Sequence, residues 1–222
     1  MNERGFTLIE TLVACVIGTI VILTAFALMD ASGALSQRVH DRVDTTQRGR
    51  EGMEQITRQL RSQVCLQAGS SAVVDGQASS IVFYSFTGRG ALVPDRHAIE
   101  WSSTTESIVD RTYVGTGTAP NTTYPVSPTR TRTVVSKVDP APGTPIFAYF
   151  AWSTTGTVEP SLPLAVPLTS VDAARAVRVV VTFRVSPAGK SSSGETTTLQ
   201  DEVVAHTTDP NMAGGPGLPD CG

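Results

Sequence analysis

Arg4-Gly5-Phe6-Thr7-Leu8-Ile9-Glu10 opens an apolar run that continues without a break to Met29. From Phe6 to Met29 there are 24 residues, and Glu10 is the only charged one. At a rise of 1.5 Å per residue, ~20 apolar residues cross the hydrocarbon core of a bilayer, so the run predicts a membrane-spanning helix. The competing reading is a secretory leader, which needs a basic n-region, a short apolar core and a small-residue cleavage site after that core. Here the first five residues hold one Arg and one Glu. The apolar run is too long, and Ala25-Phe26-Ala27 is a poor cleavage site inside it. An anchor fits better.

A plain anchor leaves Glu10 unexplained. A carboxylate in a spanning helix costs ~2.5–3.5 kcal/mol at the bilayer centre and less near the end, and such residues usually have a partner. Gly5-Phe6-Thr7-Leu8-Ile9-Glu10 resembles the processing motif of type IV pilins and type II secretion pseudopilins. The resemblance implies that a prepilin peptidase cuts between Gly5 and Phe6 and methylates the new amino terminus, giving N-methyl-Phe6. It also implies that Glu10, fifth after the cut, pairs with the N-terminal ammonium of a neighbouring subunit during assembly. That pairing is physically sensible, because two lone charges in hydrocarbon are costly and pairing offsets much of the cost. The partners implied are other pilins or pseudopilins, the peptidase and the membrane. No cofactor is implied.

Residues 30–222 suit one domain rather than two. The net charge of −3 supplies no basic field for nucleic acid. Aromatic residues make up 6% of the chain, while Thr, Ser, Val, Gly and Pro are abundant. That composition predicts β structure with long loops beyond the anchor. Of three cysteines, Cys15 lies in the apolar run as a small apolar residue. Cys65 and Cys221 lie outside it and either pair, if the domain is extracytoplasmic, or stay as two thiols. On orientation, Arg4 precedes the run while Arg38, Arg42 and Arg48 follow it. Counted alone, those arginines would keep the domain inside, but long domains translocate largely regardless of that count. The pilin-like leader therefore decides: N-terminus inside, domain outside.

The apolar stripe Leu35, Val39, Val43, Thr46, Gly49, Met53, Ile56, Leu60 and Val64 steps by three and four, which predicts that the helix continues. Asp30, Ser32 and Gly33 mark a softer junction, and Gly49 and Gly52 should each weaken the helix by ~1 kcal/mol against Ala. The expected element runs from Phe6 to Cys65, apolar all round to residue 29 and amphipathic over 30–66. The stripe is too irregular for a heptad seam, which argues against a coiled-coil stalk.

From Gly69 the period becomes two. Ser80–Phe86, Ala98–Thr104, Ser107–Val114, Arg132–Val138, Ile146–Trp152, Ala176–Ser186 and Thr196–Thr207 read as strands. Val177, Val179, Val181, Phe183 and Val185 share one face. Gly115–Thr131 reads as a long loop, either mobile or an interaction element. Pro160, Pro163 and Pro167 exclude regular structure up to Thr169. Ser170–Arg175 reads as a short helix with a Ser N-cap. The fold class is thus α+β: a long N-terminal helix, half spanning and half amphipathic, packed on an antiparallel sheet, as in pilins. The organisation is a leader over 1–5, a spanning half over 6–29, an amphipathic half over 30–66, a β-rich domain over 67–208 and a Gly/Pro-rich tail over 209–222. The aromatic strand Phe147–Trp152, Gly156, Leu162-Pro163-Leu164 and Val177–Val181 resemble, as a pattern, the J-type pseudopilins and PilW-like minor pilins.

No catalytic constellation is visible. His40, His97 and His206 are scattered without metal-ligand spacing. Asp139 and Asp209 precede prolines as turn-formers, so calcium is not implied. Trp101 and Trp152 read as core, and Arg130 and Arg132 as solvated loop residues. Asn121-Thr122-Thr123 fits a glycosylation pattern by chance. The leading expectation is a structural subunit of a short filament. A membrane-anchored extracytoplasmic adhesin, using the loop around Asn121, is the alternative, and a tethered enzyme lacks residues to carry it.

Overall fold

The computed structural model describes residues 7–66, 71–86, 93–117, 121–152, 161–187 and 196–204. It divides into two compact units, Met1–Val43 and Asp44–Gly222. Helix α1 spans Leu8–Arg61. No break occurs at Asp30, Ser32 or Gly33, so the expected soft junction is absent. Nothing approaches Gly18 or Gly33 within 4 Å.

In the first unit, α1 exposes apolar side chains on every side, from Leu8 at 83% to Met29 at 71%. Its first turn closes on the Thr7 carbonyl, which accepts from the amides of Glu10 (3.1 Å) and Thr11 (3.2 Å). The threonines of this part turn their hydroxyls back onto the helix. Thr11 donates to the Leu8 carbonyl at 2.9 Å, Thr24 to the Val21 carbonyl at 2.8 Å, and Thr19 to the Cys15 carbonyl. Each hydroxyl is thereby satisfied without water, which an apolar surrounding requires.

In the second unit, α1 becomes a packing element. Thr45, Gly49, Gly52, Met53, Ile56, Thr57 and Leu60 are buried. The expected stripe is therefore half right. Met53, Ile56 and Leu60 are core, whereas Leu35, Val39 and Val43 are 64%, 55% and 58% exposed. The helix also ends four residues before the expected Cys65. Ser62 caps it by donating its amide (3.1 Å) and hydroxyl (2.8 Å) to the Gln59 carbonyl. The chain then extends as β1 (Gln63–Val64) to pair with β3.

Two antiparallel sheets follow, rather than the single sheet expected. The first has the order β1–β3 (Ser80–Ser85)–β4 (Asp95–Ser102)–β5 (Ser107–Tyr113)–β6 (Arg130–Ser136), with β2 (Val73–Gly76) also on β3. The second has the order β11 (Thr197–Val204)–β10 (Arg178–Val185)–β8 (Phe147–Ala151)–β9 (Leu162–Pro163), with β7 (Val138–Asp139) also on β10. Three strands fall where none is expected: β1 at the end of the helix, β2, and β9 within the proline stretch; β7 is a separate short strand where one strand is expected to run from Arg132 to Val138. A two-residue edge strand tolerates Pro163 because only one side of it is paired. Helix α2 spans Ser170–Arg175, but its N-cap is Thr169, whose hydroxyl accepts from the Asp172 amide at 3.1 Å, not Ser170.

The inner faces of both sheets meet α1 in one core. Ile81, Phe83, Ile99, Ile108 and Val135 come from the first sheet, and Phe147, Tyr149, Val179, Val181, Phe183 and Val185 from the second. Two glycines let the helix come close. A Cβ on Gly52 would lie 2.7 Å from Val135 Cβ, and one on Gly49 would press on Leu199 and lie 3.0 Å from Val185. The chain crosses between sheets at Lys137, which has φ 58, beside Glu106, which has φ 46. Their side chains pair at 3.1 Å, the Glu106 carbonyl accepts from the Val138 amide at 2.8 Å, and Trp101 Nε1 donates to the Val138 carbonyl at 2.8 Å.

Candidate functional site

The sequence places the chemistry in the N-terminal segment. Gly5 and Phe6 lie outside the described residues. Glu10 stands in the first turn of α1, exposed, between apolar side chains that are exposed as well. A carboxylate there sits at the positive end of the helix dipole, which favours the anion but supplies no counter-charge of its own. Helix α1 is long and apolar enough to cross a membrane. Its apolar face has no cover within the described residues, which fits membrane anchoring.

Cys15 is free and exposed on the apolar part of α1, as read from the sequence. Cys65 is disulfide-bonded. Cys221 lies outside the described residues, as do His206, Asp209 and the tail.

One polar group of the domain has no signature in the sequence. His97 reads there as scattered, yet it is 2% exposed, and its Nδ1 lies 3.0 Å from Asp110 Oδ1. Gln59 Nε2 of α1 donates to Asp110 Oδ2 at 2.8 Å. His97 also stacks on Phe83, with ring centroids 5.7 Å apart. Asp110 thus ties the helix to β4 and β5 through two donors. Strand β4 begins at Asp95, three residues before the start expected, and that extension puts His97 on the same face as buried Ile99. The other histidine in view, His40, is exposed on α1 as expected. Among the described residues no three His, Cys, Asp or Glu side chains are grouped to hold a metal ion.

The segment read as a long loop is anchored. Thr116 and Thr123 pair through both backbone amides, at 3.0 and 2.9 Å. The Tyr124 hydroxyl donates to the Pro94 carbonyl at 2.9 Å, and its ring stacks on Tyr84 at 5.4 Å. The Arg96 guanidinium lies 4.1 Å from the Tyr113 centroid and 5.7 Å from that of Tyr124. Burial pushes the Tyr124 phenol up to about 12, helped by Tyr84 and Asp95 and opposed by Arg96. Strand β6 begins at Arg130, two residues before the start expected at Arg132, so Arg130 leaves the loop and joins Arg132 on the strand. Trp101 is partly buried against the core, as expected, whereas Trp152 is half-buried and outside the core cluster.

A search of curated protein sequences returns no match to this chain. Residues 1–26 match the family described as the prokaryotic N-terminal methylation motif. That span takes in Gly5, Phe6 and Glu10 and the start of the exposed apolar helix. The chain therefore carries a prepilin-type N-terminal methylation motif at residues 1–26, followed by a long N-terminal helix and antiparallel sheets, an α+β arrangement consistent with a pilin-like fold.

Proposed function

We propose that this chain is a minor pilin or pseudopilin, of J-type or PilW-like kind, assembled into a type IV pilus or a type II secretion pseudopilus. Prepilin peptidase cuts it between Gly5 and Phe6 and methylates Phe6. Glu10 then receives the N-terminal ammonium of a neighbouring subunit. The role is structural rather than catalytic. The helix crosses the cytoplasmic membrane once, with the N-terminus inside and the domain outside, until assembly withdraws it. The observation that carries this reading is the methylation motif over residues 1–26, on a helix whose apolar surface is uncovered. Lone charges in hydrocarbon favour pairing, so Glu10 is the natural acceptor of a new amino terminus.

An extracytoplasmic domain also suits a disulfide, and we assign the partner of Cys65 as Cys221. Non-reducing mass mapping tests this, since a peptide joining Cys65 to any other sulfur rejects it. The N-terminal mass of protein taken from its native membrane tests the main reading. N-methyl-Phe6 is expected, and an intact Met1 or a cut after Ala27 overturns it. Replacing Glu10 with Ala separates assembly from the alternative of an anchored adhesin. Filament incorporation should drop while insertion and folding persist.

A further inference from the structure

Four side-chain atoms under the C-terminal end of α1 have no hydrogen-bond partner among the described residues: Gln59 Oε1, Gln63 Nε2, Ser85 Oγ and His97 Nε2. All four are shut off from solvent, and Gln63, Ser85 and His97 are buried as whole residues. Buried polar atoms in native folds are nearly always satisfied, by protein or by ordered water. Each one left alone costs ~1–3 kcal/mol, so four together would forgo a large part of the stability of a domain.

The sheet register sets these residues side by side. Gln63 on β1 stands opposite Ser85 on β3, and directly opposed residues share a face. Phe83 stands opposite His97 on β4, and its ring stacks on the imidazole. Ser85 lies two residues beyond Phe83 on the same inner face, which makes it the diagonal neighbour of His97, within reach of one bridging molecule. His97 Nδ1 is turned to Asp110 on β5, and the two ring nitrogens face apart, so Nε2 is turned away from β5. Gln59 joins the group from the helix: its Nε2 donates to Asp110, and its Oε1 is left over. Asp95, opposite Ser85, accepts from the Gly115 amide at 3.3 Å.

The four atoms differ in kind, and that selects the occupant. Gln63 Nε2 donates and Gln59 Oε1 accepts. With the Nδ1 proton given to the Asp110 carboxylate, the neutral imidazole offers Nε2 as an acceptor, and the Ser85 hydroxyl can do either. A cation here would meet the amide protons of Gln63, and an anion would meet the Gln59 carbonyl and the His97 lone pair. Water has protons for the acceptors and lone pairs for the donors, and internal waters make ~2–4 hydrogen bonds to groups of this sort. We infer that the pocket between Gln59, Gln63, Ser85 and His97 is a binding site for ordered internal water, which donates to His97 Nε2 and Gln59 Oε1 and accepts from Gln63 Nε2. The water joins the end of α1 to β1, β3 and β4, so the polar seat of the helix is complete only when hydrated. This site is independent of the filament reading.

Water-selective ROE spectroscopy on the full-length chain in detergent micelles tests the site at His97 Hε1, a carbon-bound proton beside Nε2. A direct cross-peak to water is expected in the wild type. It should persist in Ser85→Ala, which removes the exchanging hydroxyl as another source of the signal. It should vanish in Ser85→Val, whose branched side chain takes up the space. No peak in the wild type, its loss in a folded Ser85→Ala, or its survival in a folded Ser85→Val overturns the inference. Oxygen-17 relaxation dispersion of water gives a measure that needs no change at Ser85. The number of long-lived internal waters should fall by about one in Gln63→Met, which keeps nearly the same length and lacks the donor. An unchanged number in the folded variant overturns the inference as well.

Discussion

Replacing Gly52 with Ala sets two opposed effects against each other. In an exposed helix interior the change gains ~1 kcal/mol, because Gly is the poorer helix former. Here the new Cβ would sit 2.7 Å from Val135 Cβ and 3.2 and 3.3 Å from its two methyls. Carbon atoms rest at ~3.5–4.0 Å, so helix and strand must part by nearly an ångström. Val135 cannot yield by turning its side chain, because its closest atom is fixed to the backbone of β6 and the residue is 2% exposed. Overpacking of that kind costs ~1–3 kcal/mol, and a rigid neighbour argues for the upper half. The net expectation is a loss of about 1–2 kcal/mol. Gly49 is the internal comparison. Its nearest neighbour is the far end of Leu199, which is only partly buried and can rotate away. Gly49→Ala should therefore change stability by under ~1 kcal/mol. Urea unfolding of the micelle-bound chain, followed by Trp101 fluorescence, measures both. If Gly52→Ala matched or exceeded the wild type, or if Gly49→Ala were the worse of the two, the close-approach argument would be wrong.

Asp110→Ala strips buried His97 and half-buried Gln59 of their acceptor and should cost about 2–5 kcal/mol in the same assay, with Asp110→Asn milder. Tyr124 should ionise about two pH units later than a free tyrosine, seen as a late step in tyrosinate absorbance that Tyr124→Phe removes. Because its folded pKa is raised, its share of stability is complete below pH ~10 and is lost as pH rises through about 12. Cys65→Ser should lower stability by about 2–5 kcal/mol if the bridge closes the long loop to Cys221, whereas Cys15→Ser should leave the domain unchanged.

The sequence was most legible where period and burial coincide. Val179, Val181, Phe183 and Val185 alternate over a strand buried at the centre of its sheet, and they form one wall of the core. It was least legible where a residue's role is set by a distant partner. Nothing near Gly52 in the chain announces Val135, so Gly49 on the stripe and Gly52 beside it read as weak points instead of close-packing sites. Lys137 is an ordinary lysine until the turn at Glu106 stands beside it, and that corner makes two sheets of one expected sheet. His97 stood outside the strand as read because Asp95 and Arg96 do not look apolar. Their strand is held by pairing on both sides, with Arg96 opposite Tyr84 and Tyr113.

One helix serves two environments, and burial marks the change. From Thr45 onward its buried residues face strands of its own domain. Before Val43 no face is buried, and each large apolar side chain left in water forgoes ~1.5–3 kcal/mol of burial. Over Leu8–Met29 that sum far exceeds the stability of an ordinary domain, so the segment cannot rest in water. Lipid satisfies every residue of it except Glu10. A bundle of like helices satisfies the apolar residues equally well, and it can also offer Glu10 an amino terminus. Under the proposed function, the carboxylate is the one charged group of Leu8–Met29 whose free energy would distinguish storage in the membrane from assembly. On that reading, a single residue of the wrong polarity, costly in lipid and paired in the bundle, would give the direction of transfer.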